Sequence, residues 1–120
     1  MFKSAAIEIE TVRAVPAVCL LREQAWLVQV TVAHVTGVAL KELCARTRCR
    51  PKAAFARQIA MYLSHIVFRM NSAEVARAFG RDRSTARYAI RQIEELREAP
   101  ELDRMLCWME AMLTRTGRPS

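Results

Sequence analysis

The spacing of apolar residues predicts helices along most of the chain. Spacings of three and four residues, typical of a helix with one buried face, occur in six stretches. These stretches are 20–36, 38–44, 52–69, 72–79, 83–97 and 101–114. Several Val and Thr residues in the first stretch lower its helix propensity, which leaves a local strand open there. We therefore predict an all-α helical bundle over residues 20–116, preceded by a segment, 1–19, of uncertain order.

The same spacing predicts which side chains face the core. In the first helix the expected inward set is Leu20, Trp26, Leu27, Val30, Ala33 and His34. In the third it is Phe55, Ile59, Tyr62, Leu63, Ile66 and Val67, and in the last it is Leu102, Leu106, Met109 and Leu113. We expect Trp26 and Trp108 to pack inside the bundle, with a dimer contact as the alternative for one of them.

Residues 72–91 have the length and the turn position of a helix-turn-helix, with a short helix, a turn at Gly80 and a longer helix. Asn71 and Glu74 have the spacing of a capping box, and the Asp82 carboxylate can cap the longer helix. The outward positions of that helix are Arg83, Ser84, Arg87, Tyr88 and Arg91. Arg, Ser and Thr at this end of such a helix can reach base edges in the major groove. The alternative is an ordinary helical hairpin with a solvated basic face.

Basic residues are concentrated in one part of the chain. The formal net charge is +7, and the stretch 46–91 alone holds eleven basic and two acidic residues. Such an excess favours a polyanionic partner, nucleic acid first and an anionic membrane surface second. The eleven are Arg46, Arg48, Arg50, Lys52, Arg57, Arg69, Arg77, Arg81, Arg83, Arg87 and Arg91.

Other classes of function find little support in the sequence. The four cysteines form no C-x-x-C pair and the two histidines have no zinc-ligand spacing, so we expect neither a metal nor a cofactor. No apolar run is long enough to cross a membrane, and the cysteines are expected to be reduced and mostly buried in a cytoplasmic protein. Tyr62 and His65 have no partner for catalysis at a helical spacing. No G-x-x-x-x-G-K-[ST] motif is present, so we expect neither an enzyme nor an ATP-binding protein.

Three blocks of sequence resemble the C-terminal DNA-binding domain of the bacterial replication initiator DnaA. They are A-R-Q-I-A-M-Y-L (56–63), A-R-A-F-G-R-D-R-S-T (76–85) and I-R-Q-I-E-E-L-R-E (90–98), and the resemblance covers about residues 26–114. It implies a Trp-repressor-like helical bundle that binds a short box near replication origins. The family reads roughly G-G-R-D-H-[ST]-T before its recognition helix. This chain lacks one Gly and has Arg83 in place of the His, so the resemblance does not define the DNA sequence bound.

The resemblance also implies roles for individual residues. Those matching Asp82, Arg83, Ser84 and Thr85 approach bases, Arg57 and Gln58 match phosphate-binding positions, and Tyr88 replaces a phosphate-binding His. The minor-groove arginine of the family lies in the loop corresponding to 46–50, where Arg48 and Arg50 are both candidates. The full set of predicted DNA-binding residues is Arg46, Arg48, Arg50, Lys52, Arg57, Gln58, Ser72, Arg81, Asp82, Arg83, Ser84, Thr85, Arg87 and Tyr88.

Two functions follow as hypotheses. The first is a stand-alone, nucleoid-associated bacterial protein that binds specific sites in double-stranded DNA and regulates replication initiation or transcription. The second is a protein-interaction module that kept the fold and lost specific DNA recognition. A homodimer is left open. The salt dependence of DNA binding separates the two hypotheses, because phosphate contacts release counterions.

Overall fold

The structure, a computed structural model, describes residues 17–45 and 50–117. Within these ranges the chain forms six helices and no strand, as the spacing predicts. They are α1 (Ala17–Thr36), α2 (Leu40–Cys44), α3 (Pro51–Val67), α4 (Ser72–Phe79), α5 (Arg83–Leu96) and α6 (Pro100–Gly117). The predicted bounds differ from these by up to three residues, the usual uncertainty at frayed helix ends. The segment 1–16 and most of the basic loop, 46–49, lie outside the described residues.

Helix α3 forms the centre of the bundle and contacts each of the other five helices. Its middle, from Ile59 to Ser64, is buried on every side, because neighbouring helices surround it. Pro51 opens the helix at a position where its missing N–H is not needed. The predicted inward set is confirmed at Ile59, Tyr62, Leu63 and Val67.

The prediction is wrong for Phe55 and Ile66, which are 36% and 39% exposed. They share a face with buried Ile59 and Tyr62 but lie nearer the two ends of α3. There the packing helices leave part of that face uncovered, so a shared helical face does not guarantee burial.

The predicted inward face of α1 is confirmed only for Leu27 and Ala33, which are partly buried against the core, and His34 is exposed. Leu20, Trp26 and Val30 are largely exposed, and the helix instead buries Ala25, Val28 and Val32. Both faces of α1 carry apolar residues, so the spacing alone could not choose between them. The buried face is the one with the smaller side chains, which allow α3, α4 and α6 to approach α1 closely.

Two further burial predictions are wrong. Trp26 and Trp108 are 55% and 56% exposed, so neither indole packs inside the bundle. The described thiols, Cys44 and Cys107, are exposed rather than buried. On α6 the prediction holds, because Leu106, Met109 and Leu113 are buried and Leu102 packs against their edge.

A tight reversal joins α3 to α4. Arg69 adopts a left-handed backbone conformation, with φ at 56°, and the Met70 amide returns to the Ser64 carbonyl. His65 donates from Nδ1 to the Met70 carbonyl at 2.7 Å. This reversal sets where α4, the first helix of the helix-turn-helix, begins.

Candidate nucleic-acid interface

Helix α4 begins and ends on local signals that the sequence predicts. The Asn71 side chain accepts from the Glu74 amide at 2.8 Å, and the Glu74 carboxylate accepts from the Asn71 amide at 2.9 Å. This is the predicted capping box. Gly80 ends the helix in the left-handed conformation, with φ at 65°, which a residue without a Cβ adopts at little cost. The turn between α4 and α5 is therefore encoded locally.

Helix α5 presents one apolar and one basic face. Ala86, Ala89, Ile90 and Ile93 are buried against α3 and α4. The predicted outward residues Arg83, Ser84, Arg87, Tyr88 and Arg91 are all exposed, Tyr88 by 59%. Asp82 lies at the N-cap position, as predicted, but its carboxylate makes no capping hydrogen bond, which corrects that expectation.

Arg57 holds the end of α2. Its Nε donates to the Leu43 carbonyl at 2.9 Å, and its Nη2 donates to the carbonyls of Glu42 and Ala45 at 3.2 and 2.9 Å. The last carbonyls of a helix lack partners inside the helix, so Arg57 acts here as a C-terminal cap. Arg57, which the sequence predicts to bind phosphate, therefore also has a structural role.

Arg81 reaches the same point from the turn of the helix-turn-helix. Its Nη2 donates to the Ala45 carbonyl, 2.6 Å away and 36 residues earlier in the chain. Ala45 is the last described residue before the loop of residues 46–49. Two arginines, one from helix α3 and one from the turn between α4 and α5, therefore hold Ala45 at the first end of the basic loop.

The other end of the loop is held by an ion pair. The Arg50 guanidinium donates from Nε and Nη2 to the two carboxylate oxygens of Glu42, both at 2.8 Å. The hydrogen bond from Arg50 lowers the pKa of Glu42 below its ordinary value. Both ends of the loop are thus tied to α2, which leaves Arg46 and Arg48 in the part that the structure does not describe.

A hollow of about 450 Å³ lies between α3 and the turn that precedes α5. It brings together six of the predicted site residues: Arg57, Gln58, Arg81, Asp82, Thr85 and Tyr88. A shallower hollow on the outward face is lined by Ser84, Arg87, Tyr88 and Arg91. Lys52 and Ser72 line neither hollow; they lie in the first turns of α3 and α4, exposed and half-buried.

The part of the chain that the structure describes offers little to other kinds of site. No three His, Cys, Asp or Glu side chains in it lie close enough together to hold a metal ion. None of its helices is both long and apolar enough to cross a bilayer. The main candidate site is the basic surface formed by α5, the α4–α5 turn and the base of the loop.

Comparison with known families decides how this surface is classified. The family model for the bacterial DnaA protein helix-turn-helix matches residues 26–93. The chain belongs to this family. This family is a DNA-binding domain. The turn at Gly80 and most of helix α5 lie within the matched range. The all-helical fold agrees with this membership.

Two solved structures are similar to the chain. One is the crystal structure of a DNA replication initiation factor, 28% identical, with a TM-score of 0.70. The other is the replication initiator DnaA bound to AMPPCP and single-stranded DNA, 27% identical, with a TM-score of 0.69. Each match covers 80% of this chain but only 30% and 29% of the other chain. The comparison with curated proteins gave no match.

Proposed function

We propose that this protein binds specific sites in double-stranded DNA and thereby regulates the initiation of replication or transcription. In this proposal α5 enters the major groove and the loop of residues 46–50 enters the adjacent minor groove. The observation that carries it is the placement of Arg81. This one side chain joins the turn before α5 to Ala45, the residue that precedes the basic loop, which supports joint use of α5 and the loop on one duplex.

The exposed start of α5 supplies the proposed contacts to base edges. Arg83 donates to guanine in a bidentate manner, and Ser84 and Thr85 reach neighbouring bases. Asp82 is suited to accept from the amino group of cytosine. Because Arg83 stands where the family has a His, we expect the preferred site to differ from the usual family box.

Residues around α5 supply the proposed contacts to the phosphate backbone. Gln58 and Tyr88 line the larger hollow, and Arg87 lies on the outward face of α5. Lys52 and Ser72 lie at helix starts, where amide groups favour anions. Arg57 adds positive charge to the hollow while its hydrogen bonds hold the loop. Such contacts give register and affinity rather than sequence preference.

The loop supplies the proposed minor-groove contact. Arg50 is bound to Glu42, which leaves it suited to hold the base of the loop. We therefore assign Arg48, with Arg46 beside it, to the groove. Arginine favours the enhanced negative potential of narrow A·T-rich minor grooves.

The proposal is limited to occupancy of DNA sites by this chain. The 120 residues contain no phosphate-binding G-x-x-x-x-G-K-[ST] motif, so we assign it no ATP-driven step. Association with the bacterial nucleoid follows from the same activity. A homodimer would place exposed Trp26 or Trp108 in its contact, which sedimentation of the wild type and of Trp26→Ala would detect.

Selection of bound DNA from a random duplex pool tests the proposal. We expect enrichment of a short motif, with A·T pairs on the side of the loop. Binding to the selected duplex should weaken with salt, with a log–log slope of magnitude about 4 or more, given roughly 0.9 per phosphate neutralised. Absence of any enriched motif together with a slope near zero would contradict the proposal and favour a module that binds proteins instead.

A further inference from the structure

A second hollow, of about 270 Å³, lies on the other side of the loop base. It is formed by α1, the end of α2, Arg57 of α3 and the end of α4 with its turn. Four arginines line it: Arg22, Arg57, Arg77 and Arg81. Neither Arg22 nor Arg77 belongs to the DNA-binding residues that the sequence predicts. We call this feature the arginine cleft.

The described lining of the arginine cleft is rich in positive charge. None of the described residues that line it is Asp or Glu. Its Cys44 thiol donates to the Gln29 side-chain oxygen at 2.8 Å, and partial burial of the sulfur raises the pKa of this thiol, so it stays neutral. Among its described lining residues the cleft therefore has four guanidinium groups and no anionic side chain near neutral pH. Like charges gathered in this way favour the binding of an anion.

The two pairs of arginines differ in their surroundings. Arg57 and Arg81 are partly buried and donate to carbonyls at the end of α2, so their charges are held in place. Arg22 and Arg77 are exposed and make no hydrogen bond or ion pair with the described residues. Two fixed charges beside two adaptable guanidinium groups suit an oxyanion that approaches from solvent, since a guanidinium binds phosphate through paired donors.

The arginine cleft is continuous with the proposed DNA-binding surface. Arg57, Gly80 and Arg81 line both this cleft and the larger hollow beside α5. The two hollows therefore adjoin each other at these three residues. The cleft also includes Leu43 and Cys44, just before the basic loop, so a strand bound in the larger hollow could extend into it on the side of that loop.

We propose that Arg22 and Arg77 bind phosphodiester groups of the DNA backbone beyond the helix-turn-helix, on the side of the basic loop. The ligand is the duplex that α5 reads, so this inference rests on the proposed function. It lengthens the footprint and adds affinity without adding sequence preference, because phosphate contacts are alike for every base pair.

The salt dependence of DNA binding tests this role. The full-length chain is compared with the double variant Arg22→Gln/Arg77→Gln and with a control of equal charge, Arg104→Gln/Arg115→Gln. Both control residues are exposed on α6, which packs on α1 and α3. Thermal unfolding first establishes that all three proteins fold. Each is then titrated with the selected duplex and with a duplex shortened on the loop side, over a range of salt concentrations.

On the long duplex, loss of two phosphate contacts should reduce the slope of the double variant by about 1.8, whereas the control should keep the wild-type slope. On the shortened duplex the double variant and the wild type should have equal slopes. The motif selected by the double variant should be that of the wild type.

Other results would overturn the inference. If the double variant keeps the wild-type slope on the long duplex while the wild type binds its motif, the arginine cleft is not a DNA contact and the proposed function stands. An equal reduction of the salt slope in the double variant and the control would assign the effect to long-range electrostatic attraction. Stabilisation of the wild type, but not of the double variant, by inorganic phosphate at constant ionic strength, with unchanged DNA slopes, would assign the cleft to a free anion. Failure of the wild type to bind any duplex would end both proposals.

Discussion

The Arg97 guanidinium donates to both carboxylate oxygens of Glu110, at 2.6 and 3.2 Å. The same side chain donates to Asp103 at 2.6 Å and to the Tyr62 hydroxyl at 2.8 Å. It therefore joins the end of α5 to α6 and to the central helix α3. The side chains of Arg97 and Glu110 are 21% and 22% exposed, so water reaches this pair only in part.

We expect Glu110→Gln to lower the free energy of unfolding by about 1–3 kcal/mol, because the Arg97 guanidinium loses one of its two carboxylate partners in a partly buried place. The control is Glu94→Gln, which removes an equal charge from an exposed position on α5 and should change stability by less than about 0.5 kcal/mol. Urea unfolding measures both. Equal effects of the two variants would show that the contact adds no stability.

Arg83→Ala should relax the preference for one base pair. We expect it to weaken binding to the best site by about 1–3 kcal/mol and to leave binding to other sites nearly unchanged, since a bidentate contact to a base is lost. Arg91→Ala, also exposed on α5 but two turns further along, is the matched control. Competition with single-base variants of the site measures the preference. A uniform loss over all sequences would instead assign Arg83 to a phosphate.

Arg57→Ala should lower both stability and DNA affinity. The carbonyls of Glu42, Leu43 and Ala45 each lose one hydrogen bond, and a loss of about 1–3 kcal/mol in the free energy of unfolding is expected. Gln58→Ala, at the next position of α3, should weaken DNA binding while leaving the unfolding midpoint almost unchanged. Thermal unfolding and duplex titration separate the two effects. An unchanged midpoint in Arg57→Ala would contradict its role as a cap.

The two candidate arginines of the loop should behave differently. Arg48→Ala should weaken binding chiefly to sites flanked by A·T pairs, because the minor groove distinguishes A·T from G·C and little more. Arg50→Ala should weaken binding to A·T-flanked and G·C-flanked duplexes alike, because it loosens the loop base. Titration of both variants with both duplexes decides. Equal losses for Arg48→Ala on the two duplexes would refute its minor-groove role.

The Arg50–Glu42 pair predicts a dependence on acid pH. Arg50 holds the pKa of Glu42 below its ordinary value of 4.5. Because this pKa is lower in the folded than in the unfolded state, the pair stabilises the fold when the pH is above 4.5. The stabilisation is lost as the pH falls through the lowered pKa of the folded state. In Arg50→Gln the Glu42 midpoint, followed by NMR of its side-chain carboxyl carbon, should rise towards the ordinary value. The same midpoint in both proteins would exclude the pair in solution.

Local signals explain which parts of the fold could be predicted from the sequence. The capping box of Asn71 and Glu74 and the left-handed Gly80 each involve residues only a few positions apart. Their geometry follows from the backbone of one helix, whatever packs around it. The outward basic face of α5 was predictable for the same reason, because a contiguous apolar seam leaves the opposite face exposed.

The sequence by itself therefore determined the helices, the turn that defines the helix-turn-helix and the concentration of basic charge. Only the tertiary structure decided which face of α1 is buried, because both faces are apolar and the choice depends on which fits against α3. It also decided the partners of Arg57 and Arg81, whose acceptors lie 12 to 36 residues away. No local pattern encodes such contacts, since they exist only once the helices have packed. For that reason the arginine cleft, which draws Arg22 and Arg77 together from two helices, could not be found from their spacing in the chain.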